Sequence, residues 1–155
     1  MVSPARPRAA THALGRVGTA VEEAMDAFLI DLENKPGELA RIAEAIAAKG
    51  VNITGLAGST CGQSGRVTIT TADPAATRQV LADAKASYKV YEVIETALAD
   101  KPGTLASALR RLAERGVNVE AVMPTGMRGS NIQVGFVTDD PARAREALQA
   151  VGASR

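Results

Sequence analysis

Apolar residues recur along the chain at two spacings. Over residues 27–33 (AFLIDLE), Phe28, Ile30 and Leu32 alternate in part with their neighbours, as on a half-buried strand. From Leu39 the spacing changes. Leu39, Ile42, Ala43, Ile46 and Ala47 form an i, i+3, i+4, i+7, i+8 stripe, which predicts an amphipathic helix. Pro36 suits its first turn, where no N–H is needed. Gly50 suits the left-handed position past its end. A strand is expected around 51–59, a glycine-rich turn at 61–65 (CGQSG) and a strand at 66–72. Asp73-Pro74 reads as a helix cap and first position, opening a helix over 74–85 that buries Val80, Leu81 and Ala84. A further strand starts near residue 87.

The same units then recur. Residues 34–53 (NKPGELARIAEAIAAKGVNI) and 100–119 (DKPGTLASALRRLAERGVNV) match at 9 of 20 positions, at an offset of 66. Asp73-Pro74-Ala75 parallels Asp140-Pro141-Ala142 at an offset of 67. The order β-α-β-β-α-β predicts an α+β fold: two ferredoxin-like units in tandem, antiparallel, with helices on one face. Residues 87–99 (SYKVYEVIETALA) carry no turn signal, so one long strand is expected to serve both units. Copy two reaches about Val151 without room for a last strand, which predicts an exposed strand edge suited to a partner subunit. The expected boundaries are 1–24, 25–92 and 93–155.

Composition narrows the chemistry. With 18 basic against 17 acidic residues in 155, there is no electrostatic case for nucleic acid or an anionic membrane. Four aromatic side chains and no Trp leave no stacking platform for bases. No run approaches the roughly 20 apolar residues of a membrane span. A cytoplasmic location is expected. One Cys excludes an internal disulfide and any all-Cys zinc site. The lone His12 lies in the Ala/Arg/Pro-rich stretch 1–24, so a triad or imidazole base in the remainder is excluded. That stretch reads as a disordered tail, a transit peptide or an upstream artefact. The third reading takes Met25 as the natural start, because Val21-Glu22-Glu23-Ala24 can be encoded by a purine-rich, ribosome-binding string.

The pattern strand–[Asn/Asp]-Lys-Pro-Gly-x-Leu–helix–Gly-Val-Asn-[Ile/Val] occurs as Asn34–Leu39 with Gly50–Ile53, and as Asp100–Leu105 with Gly116–Val119. By it the chain resembles ACT domains from residue 27 to about 151, most of all small bacterial proteins made only of two such domains. The resemblance implies a regulatory protein, not an enzyme, that binds an amino acid or related effector at a seam between domains. It implies a homodimer and no cofactor or metal. The alternative is a subunit that controls an amino-acid biosynthetic enzyme by contact, with no ligand of its own. The implied ligand positions are Asn34, Pro36, Gly37, Glu38, Leu39, Asn52 and Ile53, and in copy two Asp100, Gly103, Thr104, Leu105, Asn118 and Val119. Physical chemistry supports them in part. Each loop ends at a helix N-terminus, whose free N–H groups and dipole favour a carboxylate. Gly37 and Gly103 allow close backbone approach. Asn34 and Asn52 each offer a donor and an acceptor. Copy two departs at Asp100, where copy one has Asn34. Leu32 and Leu98 stand where some members carry a polar ligand-binding residue.

Plainer readings stand beside these. Pro-Gly before a helix is ordinary turn chemistry, and Asn52 and Asn118 can bond local backbone. Asp73 and Asp140 read as caps, Arg110-Arg111 as a solvated face and Cys61 as a free loop thiol. Residues 125–131 (TGMRGSN) read as a long hairpin connection. Met123 and Met127 suit a soft apolar contact. Glu92 and Glu95 read as strand-surface charges.

Overall fold

A computed structural model describes residues 25–149 of the chain. The readings of the stretch 1–24, His12 included, and of the chain near Val151 lie outside the described residues. The elements are β1 (Met25–Glu33), α1 (Glu38–Ala48), β2 (Ile53–Cys61), β3 (Ser64–Thr71), α2 (Pro74–Asp83), β4 (Ser87–Ala99), α3 (Thr104–Glu114), β5 (Val119–Arg128), β6 (Asn131–Thr138) and α4 (Pro141–Gln149). They make two ferredoxin-like units in tandem. Among the described residues no strand follows α4.

All six strands join one antiparallel sheet in the order β2-β3-β1-β4-β6-β5. The shared strand is β4, 13 residues long. Its first half pairs with β1 over Ser87–Val93 and its second half with β6 over Val93–Ala99. Val93 is the crossover, opposite Met25 on one side and Val137 on the other. Each half keeps one strand edge without a ladder partner among the described residues.

Because side chains alternate, one face of β1 and β4 meets the helices and the other does not. On the helix side Phe28, Ile30, Val67 and Ile69 pack against Ile42, Ile46, Val80 and Leu81. In the second unit Ile94, Leu98, Val134 and Phe136 pack against Ala108, Leu112, Ala144 and Leu148. The helix-free face buries Ala27, Val93, Met123 and Val137. The sheet curls towards that face until its end strands β2 and β5 lie against each other. Gly55 permits the approach: a Cβ there would stand 3.3 Å from Thr125 Cγ2 and 2.6 Å from Thr70 Oγ1.

Several local expectations change. Helices α1 and α3 begin two residues after Pro36 and Pro102, which therefore precede the helices and do not sit in their first turns. Gly37 and Gly103 are their N-caps, at φ 92° and 91°, a conformation that favours glycine. Nothing lies within 4 Å of a Cβ built on either, so backbone conformation rather than crowding demands glycine. Leu39 and Leu105 leave the buried stripe, at 42% and 43% exposure, and Ala47 is exposed as well. Thr77 takes the core place expected of Ala84; its hydroxyl bonds Asp73 O at 2.8 Å and Thr71 Oγ1 at 2.7 Å. Asp73 and Asp140 do cap their helices, accepting from the N–H of Ala76 at 2.9 Å and of Arg143 at 3.0 Å.

The segment 125–131 is not a long connection. β5 runs to Arg128, and the turn is Gly129-Ser130, matching Gly62-Gln63 in the first unit. A register irregularity between Pro124 and Gly126 absorbs two residues that read as turn formers. Glu95 is not a surface charge. It is 7% exposed, accepts a hydrogen bond from the Thr125 hydroxyl and another from Gln133 Nε2 at 3.4 Å. Glu92 pairs with Arg145. Met123 is buried, whereas Met127 is 63% exposed.

Candidate functional site

The β1–α1 loop is clasped to the tip of the β2–β3 hairpin. Asn34 donates its backbone N–H to Gln63 O at 2.9 Å and its side-chain Nδ2–H to Gly62 O at 2.8 Å. Beside it the Lys35 ammonium sits 2.5 Å from Glu33 Oε2. Hydrogen bonding to Lys35, then its charge, lowers the Glu33 pKa; the same bond, then the carboxylate charge, raises that of Lys35. Glu38, in the first turn of α1, pairs with Arg41 at 3.2 Å.

Between loop, helix and hairpin lies a cleft of about 410 Å³. Its sheet side is set by strand register. Leu32, Gly65 and Thr60 stand in one row, and Val67 and Gly58 in the next. Leu39 and Leu56 add apolar wall, while Glu33, Asn34, Lys35, Glu38, Ser59 and Arg66 add polar rim. Such a mixture suits a small molecule with one apolar part and charges of both signs. On the far side of the same hairpin a second cleft of about 310 Å³ is lined by Asp31, Ser59, Cys61, Ser64, Gly65 and Arg66. There the Arg66 guanidinium is held by Asp31 at 2.9 Å, and Cys61 is an exposed free thiol.

Of the sequence-derived positions, Asn34, Glu38 and Leu39 line the larger cleft, and Pro36 and Gly37 are the loop residues between them. Asn52 and Ile53 are not brought to it. They follow the opposite end of α1, whose 11 residues span about 16 Å. Ile53 packs on the first core. The second unit divides the same way. Asp100, Gly103, Thr104 and Leu105 gather at the start of α3, where the Thr104 hydroxyl bonds Ala99 O at 2.8 Å. Asn118 and Val119 follow its end. Asn118 donates its N–H to Asp139 Oδ1 at 2.8 Å and Nδ2–H to Glu120 Oε1 at 3.2 Å, and Val119 packs on the second core. One ligand within a unit therefore cannot meet both asparagines. Sequence reasoning missed Leu32, Glu33 and Lys35 before the helix, and Leu56, Gly58, Ser59, Thr60, Gly65, Arg66 and Val67 on the hairpin. The signal was there in Gly58 and Gly65, since glycine inside a strand often marks a close approach.

Among the described residues no group of three or more His, Cys, Asp or Glu could hold a metal, and no helix is long and apolar enough to cross a membrane.

Comparisons with known proteins agree with this architecture. The family model for an AHAS small subunit-like ACT domain matches residues 28–93, and the model for an ACT domain pair matches residues 63–151. No curated protein matches the sequence. Among solved structures, protein BT0572 from Bacteroides thetaiotaomicron superposes with a TM-score of 0.73 at 23% identity, over 82% of this chain and 88% of that one. The ligand-free regulatory subunit of aspartate kinase from Thermus thermophilus gives 0.64 at 19%, over 89% and 98%. The regulatory subunit of aspartate kinase from Thermus flavus gives 0.58 at 19%, over 87% and 94%. At these identities the superpositions speak for the fold. The matched family models, the doubled Lys-Pro-Gly motif and the tandem ferredoxin-like units together place the chain in the ACT-domain family, as a pair of ACT units.

Proposed function

We propose that this protein is a regulatory module that binds a small amino acid in the cleft of its first unit. The observation that carries the reading is the cleft itself. An apolar wall of Leu32, Leu56 and Val67 faces a loop that offers Asn34, Lys35 and the N-terminus of α1. A zwitterion needs both a donor set for its carboxylate and an acceptor for its ammonium group. Lys35 with the α1 N–H groups supplies the first, and Glu33 or Glu38 the second. Asn52, Asn118 and the residues around Asp100 belong to this reading only through a seam with another copy, so the proposal includes a homodimer. The proposed domains are 25–92 and 93–155, meeting at the crossover strand β4. The proposed location is the cytoplasm.

The test is thermal stability of the full chain against each of the twenty amino acids. A ligand at 100 times its dissociation constant adds about 2.7 kcal/mol, a readily measured shift. A shift with one or a few related amino acids supports the reading, and Asn34→Ala should reduce it. No shift with any of them refutes it.

A second reading has its own observation. Leu39 and Leu56 are exposed, and so are Leu105 and Val122 at the equivalent positions 66 residues on. A doubled apolar pair suits protein contact, with the module acting on a biosynthetic enzyme. The regulatory subunits of aspartate kinase, to which its fold is similar, suit the same reading. A folded chain, silent to every amino acid, that changes the activity of a co-purified biosynthetic enzyme would favour it.

A further inference from the structure

We infer that each chain carries one ligand site, in its first unit, because the second unit places larger side chains at the equivalent floor positions. The inference rests on the proposed amino-acid reading of the cleft and adds its stoichiometry and location.

Strand register sets the equivalence. Leu32 faces Gly65 across β1 and β3, and Leu98 faces Ile132 across β4 and β6. Gly58 faces Val67 in the first unit, and Pro124 faces Val134 in the second. Thr60 pairs with Gly65, and Met127 with Ile132. The floor formed by Gly65, Gly58 and Thr60 is thus replaced by Ile132, Pro124 and Met127. Ile132 is half-buried and packs on the second unit's core.

The fold does not require the two floor glycines. Neither has a left-handed backbone. A Cβ would meet nothing closer than 3.6 Å at Gly65 and 3.5 Å at Gly58, which is ordinary contact. Glycine inside a strand weakens it relative to any β-former. What these two glycines provide is space, on the side of the sheet where α1 begins. The loop differs in the same sense. Asn34 can donate to the hairpin carbonyl that orders the rim, whereas the Asp100 carboxylate has no hydrogen to donate.

The experiment is residue-resolved NMR of the full chain titrated with each of the twenty amino acids. It is repeated on Gly65→Ile, which copies the second unit's residue, and on the milder Gly65→Ala. The expected result is one set of shifts, at Asn34, Gly58 and Gly65, with both variants folded. Gly65→Ile should weaken binding by about tenfold or more, the scale of one altered apolar contact in a pocket. A second, parallel set of shifts at Ile132 and Met127, or undiminished binding by a folded Gly65→Ile, would overturn the inference. If no amino acid binds, the amino-acid reading fails separately. Isopropanol, as a small apolar probe, then decides the asymmetry. Shifts confined to Gly58 and Gly65 uphold it, and equal shifts around Ile132 overturn it.

Discussion

On the helix-free face of the sheet, Leu29 and Glu95 occupy equivalent places 66 residues apart. Leu29 lies beside a solvent-facing ion pair, Asp31 with Arg66. Glu95 is buried, and its surroundings are adapted to it. Opposite it stands Gly135, where a Cβ would come within 2.7 Å of Val93 Cγ1 and 3.1 Å of Thr125 Cγ2. The Thr125 hydroxyl and the Gln133 amide supply its hydrogen bonds. A carboxylate taken out of water is costly unless such partners accompany it. The repeat therefore diverged as a set of coupled positions, while the loop motif and the helix caps stayed alike. The first unit keeps its charges in solvent and its cleft open. The second buries a carboxylate beside Thr125 and sets Ile132, Pro124 and Met127 at the cleft's equivalent positions.

The comparison breaks first if the units are independent. Phe28 and Phe136 are fully buried, one in each core. Phe28→Ala and Phe136→Ala should each cost about 3–5 kcal/mol. Because β4 belongs to both units, each variant should still unfold in one denaturant transition detected alike by all probes. Two separated transitions would show that the shared strand does not couple the units.

The next effect concerns the buried carboxylate. Thr125→Val removes a donor from Glu95 and should cost about 1–3 kcal/mol in equilibrium unfolding. Ser59→Ala, at the equivalent exposed place, should stay within about 0.5 kcal/mol. Equal costs at the two positions would remove the distinction drawn between the faces.

Much of this architecture is legible from residue order. The doubled Lys-Pro-Gly motif gives the two units, the unbroken run 87–99 gives the shared strand, and Asp73 and Asp140 give their caps. The failures share a cause. Helical periodicity assigned Leu39 to the core because it assumes that a neighbour covers the whole apolar face. At the start of each helix the outer part of that face stays open to solvent, so Leu39 borders the cleft and Leu105 is exposed to the same degree. Glu95 was misread for the complementary reason. A strand charge is normally a surface charge, and here Gly135 on the strand between leaves room for Thr125 to reach across to it. Asn34 and Asn52 share a motif yet sit at opposite ends of a helix, a separation that spacing shows once the helix is granted.

A smaller effect tests the loop difference. Asn34→Asp gives the first unit the second unit's residue. It removes the donor to Gly62 O and sets a carboxylate oxygen against that carbonyl. The expected cost is about 0.5–1.5 kcal/mol, the net worth of one hydrogen bond. Asp100→Asn, the reverse change, should shift the unfolding midpoint little. Amide exchange at Gly62 and Gln63 should rise in Asn34→Asp, and unchanged exchange would show that the clasp is not what orders the hairpin tip.

The smallest effect lies at Lys35. The Glu33 carboxyl is held below its ordinary value of 4.5 by the hydrogen bond from Lys35 and then by its charge, and Lys35 is held above 10.5 by the same contact. A lowered carboxyl contributes stability above its unfolded value and loses it as pH falls through the folded one. A raised ammonium contributes below its unfolded value and loses it as pH rises through the folded one. The pair is therefore flat with pH between about 4.5 and 10.5 and weakens only outside that window. Both groups are exposed, so solvent screens the pair and Lys35→Met should leave the unfolding midpoint unmoved. Its signature is local: the carboxyl carbon of Glu33 should titrate at higher pH than in the parent. The second unit provides the control. Lys101 has Ala99 where Lys35 has Glu33, so Lys101→Met should leave the Glu33 titration unchanged. If Lys35→Met also leaves Glu33 unmoved, the ion pair does not persist in solution, and the ammonium of Lys35 is free to meet a ligand carboxylate without first giving up Glu33.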